Sequence, residues 1–256
     1  MLAAERRRVI TERIRATGQV VVSALSAEFQ VSEETIRRDL EFLEKEGIAT
    51  RLYGGAVLQG NDHAAPPYSI RKNTNIEPKV IIARTLSQIV RDGDTLMVDE
   101  SSTAAYAVRA LRQKKNITLI TNSLELLREM NGQDTWHIVS TGGSLKSDVL
   151  AHVGPHALRT VGSYHASYAI LSCRGVNEQL GLADSDDAVV QIKQAMIASC
   201  DCSILLADRR KFDRSGLVAL GPLSLVDKLV TDMPPTAQWQ QRLAQAGVEL
   251  ICGEDQ

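Results

Sequence analysis

Thr35, Arg37 and Arg38 lie in a run where Ile36, Leu40 and Leu43 fall at i, i+4 and i+7, so a helix here buries one stripe. At about 100° per residue, Arg38 comes nearly opposite that stripe, with Thr35 and Arg37 flanking it. A helix buried by one face and offering Thr and Arg from the others can enter a DNA major groove. There arginine reads guanine, and threonine meets the thymine methyl or a phosphate. The plainer alternative is two arginines paired with acids on a solvated helix.

A second group follows the ends of apolar segments. Asp99-Glu100-Ser101-Ser102-Thr103 offers three hydroxyls and backbone N–H groups at a helix start, a setting that holds phosphate or sugar oxygens. One of those hydroxyls serving only as an N-cap is the competing reading. Thr121-Asn122-Ser123 and Thr141-Gly142-Gly143-Ser144-Leu145-Lys146 close two later segments in the same way. Three polar loops at successive strand ends converge on one crevice. Lys146, Arg174, Lys193 and Lys211 are the cations available to an anionic ligand there, against a solvated-face alternative for each. No metal site is expected. The cysteines, Cys173, Cys200, Cys202 and Cys252, form no Cys-x-x-Cys pair, and Gly154-Pro155 breaks any helix carrying His152 and His156.

The elements that must position these groups divide into two sets at a polar, Pro-containing stretch, residues 59–67. Residues 1–58 predict a helix over 3–16, a short strand at 19–22, and a helix capped by Ser23 that buries Leu25 and Phe29. A third helix, capped by Ser32 and stopped at Gly47, precedes a hairpin turning at Tyr53-Gly54-Gly55. Residues 68–256 alternate. Helices are expected near 81–90, 104–111, 124–130, 188–198 and 236–246. Buried strands are expected near 95–98, 117–121, 136–140, 168–172, 203–207 and 229–231. That alternation argues a doubly wound, mostly parallel sheet, an α/β class fold.

The chain has 256 residues and a formal net charge of −2, so no global excess points to nucleic acid or membrane. No apolar run reaches the roughly 18 residues of a membrane span, and no signal peptide is recognisable, so a cytoplasmic protein is expected. Residues 1–58 hold nine basic and nine acidic side chains. DNA affinity must then come from local clusters at Arg6–Arg8 and Arg37–Arg38, and from a dimer presenting two helices.

The run Val31-Ser32-Glu33-Glu34-Thr35-Ile36-Arg37-Arg38-Asp39-Leu40, with Leu43-Glu44, Gly47, Arg51 and Gly54-Gly55, resembles the DeoR-family helix-turn-helix. The resemblance implies DNA contacts from Arg6, Ser32, Glu34, Thr35, Arg37, Arg38, Arg51, Tyr53 and Gly54. It extends over the larger part through Asp99 with Ser102-Thr103, Thr121-Asn122-Ser123, Gly142-Gly143 with Lys146, Gly154, Gly175, Gly181, Lys193, and Ala207-Asp208 with Lys211-Phe212. Sensor domains of that family look like ribose-5-phosphate isomerases. Ser101 stands where the family usually has Gly, and Lys146 where Arg is common. Isomerases of this fold carry an Asp-Gly-Ala-Asp run; Arg174-Gly175-Val176-Asn177 stands there instead and supplies no carboxylate base.

The expectation is therefore an N-terminal winged helix-turn-helix joined to a doubly wound sensor domain resembling ribose-5-phosphate isomerase. Its function would be repression of a carbohydrate catabolic operon. Expected partners are double-stranded operator DNA, a phosphorylated sugar and further copies of the chain in a dimer or tetramer, with no cofactor. Effector contacts are expected from Asp99, Ser101, Ser102, Thr103, Asn122, Gly142, Gly143, Lys146, Arg174, Lys193 and Lys211. Features around Ser172–Gly175 and 211–216 resemble the fucose-operon regulator branch. Two readings compete: an isomerase or transferase fused to a DNA-binding module, and an architectural DNA-binding protein whose larger domain only oligomerises.

Overall fold

A computed structural model describes residues 2–52, 54–58 and 66–253, with backbone alone at 16, 17 and 52. Two compact units emerge, Met1–Thr74 and Asn75–Gln256. Residues 59–65 of the expected linker lie outside the described residues. Tyr68–Arg71 (α4 below) falls in the smaller unit, not the larger as expected, because Ile70 is buried against the Gly54–Gly55 turn.

The smaller unit begins with α1 (Ala3–Thr17), β1 (Gln19–Val21), α2 (Val22–Phe29) and α3 (Glu33–Lys45). It continues with β2 (Ala49–Leu52), β3 (Gly55–Leu58) and α4 (Tyr68–Arg71). The strands form one antiparallel sheet in the order β1-β3-β2. Ile10, Ile14, Leu25, Ile36, Leu40 and Leu43 close its core, the stripes the helical period marks out. One local expectation fails. Ser23 does not cap α2, which starts a residue earlier, because the Val22 N–H is already taken by the Gly54 carbonyl at 2.8 Å. The wing supplies what the side chain was expected to supply.

The larger unit runs α5 (Ile76–Ile89), β4 (Thr95–Val98), α6 (Ser102–Ala110), β5 (Thr118–Thr121), α7 (Leu124–Glu129), β6 (His137–Ser140), β7 (Ser144–Lys146), β8 (Ala151–Val153) and α8 (Pro155–Gly162). It goes on with β9 (Ala166–Ser172), β10 (Gly175–Asn177), β11 (Gly181–Asp184), α9 (Asp187–Ala198), β12 (Cys200–Leu206), β13 (Val218–Gly221), β14 (Lys228–Thr231), α10 (Ala237–Gln245) and β15 (Glu249–Cys252). Seven strands pair in parallel in the order β15-β14-β12-β9-β4-β5-β6. Along β4, Leu96 and Val98 pack with α5 and α6, while Met97 between them packs with α8 and α9. Both faces are covered, which is why these strands read as continuous apolar runs. The pairs β10-β11-β13 and β7-β8 are antiparallel additions, and neither they nor β15 are marked in the sequence by a strong period. Helix α5 starts ahead of the apolar pattern, since Pro78 in its first turn lacks only an N–H that has no intrahelical partner there.

Chain order fixes where a ligand can sit. From β4 the chain adds β5 and β6 on one side, and from β9 it adds β12, β14 and β15 on the other. The reversal lies between β4 and β9, and crevices in such sheets open beyond the carboxyl ends of the strands at that point.

Candidate functional site

On α3 the local sequence does what the spacing requires. Ser32 caps the helix, its Oγ accepting the Thr35 N–H at 3.2 Å, and Glu33 and Glu34 occupy the first turn, where the helix dipole favours acids. Ile36, Leu40 and Leu43 are buried, and Glu34, Arg37 and Arg38 are exposed. Arg38 keeps 75% of its side chain in solvent, beside Glu34 at 3.4 Å. Thr35 is partly exposed and shares a 2.9 Å hydroxyl contact with Ser32. Arg51, on the wing, lies against Glu44: its N–H donates at 2.9 Å and its Nε at 2.7 Å, which holds the Glu44 carboxyl below its usual range. Gly54 adopts φ +85°, which a side chain resists, and the placement of its carbonyl opens α2. Tyr53 lies outside the described residues.

Arg6 is a correction. It is 6% exposed, and its Nε donates to Asp39 at 2.5 Å. Arg7 takes the other Asp39 oxygen at 2.8 Å and lies over the Phe42 ring at 4.1 Å. Arg6 and Arg7 of the basic run clasp α1 to α3, because the carboxylate that follows Arg38 points inward and needs neutralising.

In the larger unit, the polar loops stand at the ends of β4, β5, β6, β9 and β12, five neighbours in the sheet. Ser101 is both at the crevice and a cap: its Oγ accepts the Ala104 N–H at 3.1 Å, opening α6. Ser102 and Thr103 lie buried in the first turn of α6. Asp99 is a correction, since none of it is exposed. Its Oδ1 accepts the Ser101 N–H at 3.0 Å and its Oδ2 the Ser172 N–H at 2.8 Å, so it ties β4 to β9 across the switch point.

Lys193 is the second correction in this unit. Only 2% exposed, its Nζ lies 2.6 Å from Asp184, 3.2 Å from Asp99 and 3.4 Å from Glu100, and donates to the Ser172 carbonyl at 2.7 Å. Burial works against its charge, but the three carboxylates outweigh it and hold the ammonium well above the ordinary lysine value. Glu100 moves up as well: burial disfavours its charge and Asp99 and Asp184 add to that, while Lys193 opposes them. Helix α9 is capped by Asp186, which accepts the Val189 N–H at 3.2 Å. Asp184 is instead the shortest partner of Lys193.

This network reaches further into the expected set. Asn122, fully buried, donates from Nδ2 to Glu100 at 3.2 Å and to the His152 carbonyl at 3.3 Å. Lys211 donates to the Ser172 hydroxyl at 2.5 Å. Arg174 is half-buried on the β9–β10 loop, its N–H held by the Ala183 carbonyl at 2.9 Å. Two predicted elements lie outside the network. Lys146 binds Asp186 at 3.1 Å and Asp148 at 3.4 Å; burial lowers its pKa but these acids outweigh that and raise it. Gly142 and Gly143 line an open groove of about 620 Å³ with His156, Arg159, Thr160, Ser163 and Tyr164.

Ser172 and Asp184 are members absent from the expected contacts, and so is Glu100, although it stood in the Asp99–Thr103 run. Ser172 had a signal, as the first hydroxyl after an apolar strand; Asp184 had none. Cys173 sits in the same loop, its thiol pushed up to about 11 by burial, and is neutral at pH 7. Among the described residues no group of His, Cys, Asp and Glu is arranged to hold a metal ion. Among the described residues no helix is long and apolar enough to cross a membrane.

Residues 6–61 match the model of the DeoR-like helix-turn-helix domain, and residues 74–233 that of the DeoR C terminal sensor domain. The chain is 37% identical over 232 residues to the HTH-type transcriptional regulator YulB of Bacillus subtilis (strain 168), covering 91% of this chain and 90% of that one. It is 30% identical over 250 residues to the glycerol-3-phosphate regulon repressor of Escherichia coli (strain K12), covering 98% and 99%. The L-fucose operon activator of the same strain is also 30% identical, covering 90% and 96%, so identity does not single out the fucose branch. Among solved structures, ribose 5-phosphate isomerase A of Methanocaldococcus jannaschii matches with a TM-score of 0.41 and 17% identity, over 54% of this chain and 55% of that one.

Proposed function

The chain belongs to the DeoR family of DNA-binding transcriptional regulators, and from that premise we propose that it represses a carbohydrate catabolic operon and is released by a phosphorylated sugar. The observation that carries the sensor half is the convergence of hydroxyl and amide loops on the carboxyl ends of five neighbouring strands. The named relatives act on glycerol-3-phosphate and fucose systems, in keeping with a small polar metabolite. With Lys146 and Lys193 each bound to carboxylates, the phosphate is assigned to the start of α6, Ser101–Thr103, together with Arg174 and Lys211. Asn122 and Glu100 at the crevice floor suit hydroxyls better than a phosphate. Asp99 and Lys193 support this floor from behind.

The DNA half is assigned to Ser32, Thr35, Arg37 and Arg38 on α3, with Glu34 beside the two arginines and Arg51 and Gly54 on the wing. One such helix on a charge-balanced unit binds weakly, so a dimer or tetramer reading paired half-sites is part of the proposal. The ligand acts through its differential affinity for two arrangements of that oligomer.

The test is fluorescence anisotropy on duplexes enriched from a random pool, with a scrambled duplex as control and a panel of sugar phosphates. Sequence-preferring binding released by one sugar phosphate is the expected result. Binding indifferent to every ligand sinks the sensor reading, and turnover of any panel member would move the larger unit to the enzyme class.

A further inference from the structure

Helix α3 carries five acids, Glu33, Glu34, Asp39, Glu41 and Glu44, against three bases, Arg37, Arg38 and Lys45. For an element assigned to a groove walled by phosphates, that balance runs the wrong way. Three of the acids have structural partners: Asp39 holds Arg6 and Arg7, Glu44 holds Arg51, and Glu41 pairs with Lys45 at 3.2 Å. Glu33 and Glu34 differ. Their only ion-pair partners among the described residues are the two arginines assigned to base reading, Arg37 to Glu33 at 2.6 Å and to Glu34 at 3.9 Å, and Arg38 to Glu34 at 3.4 Å. Capping does not require them, since Ser32 already takes the Thr35 N–H. All four side chains are about half exposed or more.

Resting on the DNA reading above, we infer that Glu33 and Glu34 set sequence specificity by penalising DNA that offers the arginines no guanine more than DNA that does, Glu34 more than Glu33 because it faces both arginines. An arginine held by a carboxylate releases few counterions on a phosphate, and the carboxylate itself is repelled by the backbone. By itself that repulsion changes no ratio of affinities, because it is blind to sequence. The compensation is not: only a guanine offers the O6 and N7 pair that draws the guanidinium away bidentately. With the arginines withheld from phosphates on wrong sites and released to guanine on right ones, the gap between the two widens.

The experiment uses the full chain, one duplex enriched from a random pool and one scrambled duplex, titrated at several salt concentrations. Glu34→Gln and the double variant Glu33→Gln/Glu34→Gln are compared with Glu12→Gln, which removes a surface acid paired with Arg8 on α1. For Glu34→Gln we expect about tenfold tighter binding to the scrambled duplex, a smaller gain on the enriched one, and a salt slope on the scrambled duplex steeper by about one. An equal gain on both duplexes, or the same gain from Glu12→Gln, would mean bulk charge alone and overturn the inference. So would loss on the enriched duplex alone, which would make Glu34 a direct base contact. Failure of the wild type to enrich any sequence is a separate result, removing the DNA reading itself. Thermal melts of these surface variants should fall only slightly, since the first-turn acids also favour the N-terminus of α3.

Discussion

The side chains that correct the sequence reading are all buried ions. Arg6 and Asp39 are 33 residues apart, and Lys193 draws three carboxylates from two strand ends, those of β4 and β11. Removing one partner from such a group leaves an uncompensated buried charge. Asp39→Ala should cost about 3–5 kcal/mol in urea unfolding and weaken DNA binding through loss of the α1–α3 clasp. A near-neutral melt would show that Arg6 finds water instead. Lys193→Met should cost a similar amount, about 3–5 kcal/mol, at neutral pH. The signs follow from the two raised groups. Stability from Lys193 is complete below the ordinary lysine value and is lost only as pH rises through the higher folded value. Glu100 is held protonated more tightly in the fold than in the open chain, so its contribution falls as pH rises above the ordinary carboxylate range. In Lys193→Met, Glu100 loses the one charge that opposes its rise, so the deficit should shrink as pH is lowered toward 5 and Glu100 takes up its proton; a deficit independent of pH would argue that lost packing, not charge, is responsible. Arg38→Ala, by contrast, should leave stability intact and lower specific DNA binding by about 1–3 kcal/mol. An unchanged affinity removes it from the interface.

Among the elements, three helices were legible from their side-chain caps. Ser32, Ser101 and Asp186 each precede a periodic run and each bonds the N–H three residues on. Replacing Ser32 by Ala should cost about 1 kcal/mol, localised to α3 in hydrogen exchange; uniform loss across the chain would contradict the cap's local role. Helix α2 shows the limit of that logic, because its first free N–H is met by a wing strand that closes only in three dimensions. The Gly142–Gly143 turn is similar. A Cβ at Gly143, at φ +113°, would lie 2.6 Å from the Val153 carbonyl. Gly143→Ala should therefore lower stability by about 1–3 kcal/mol, whatever its effect on ligand; an unchanged melting temperature would show that the β8–α8 junction yields. The antiparallel pieces β7-β8 and β10-β11-β13 went unread because strands of three or four residues give no period to count.

For the whole molecule, the decisive feature is the reversal of strand order between β4 and β9. It places Asp99, the start of α6, Ser172 and the loop carrying Lys211 at one crevice, though they are spread over more than 100 residues of chain. If that crevice is the sensor, Ser102→Ala with Lys211→Ala should leave operator binding intact and abolish its release by sugar phosphate. Full release by the double variant would place the effector elsewhere, with the Gly142–Tyr164 groove the next position to probe.

By itself the sequence determined the two-part plan, the winged helix with its outward arginines, the parallel α/β class and the strand-end loops. Each of these rests on short-range regularities: a period, a cap, a turn residue, a run of β-branched side chains. What only the tertiary structure decided was which charged groups face solvent and which are consumed inside. Periodicity gives the face on which Arg6, Asp99 or Lys193 lies, but not the partner that arrives there from another element. For an ion, that partner decides whether burial is tolerated, and so whether the residue meets a ligand or holds the fold.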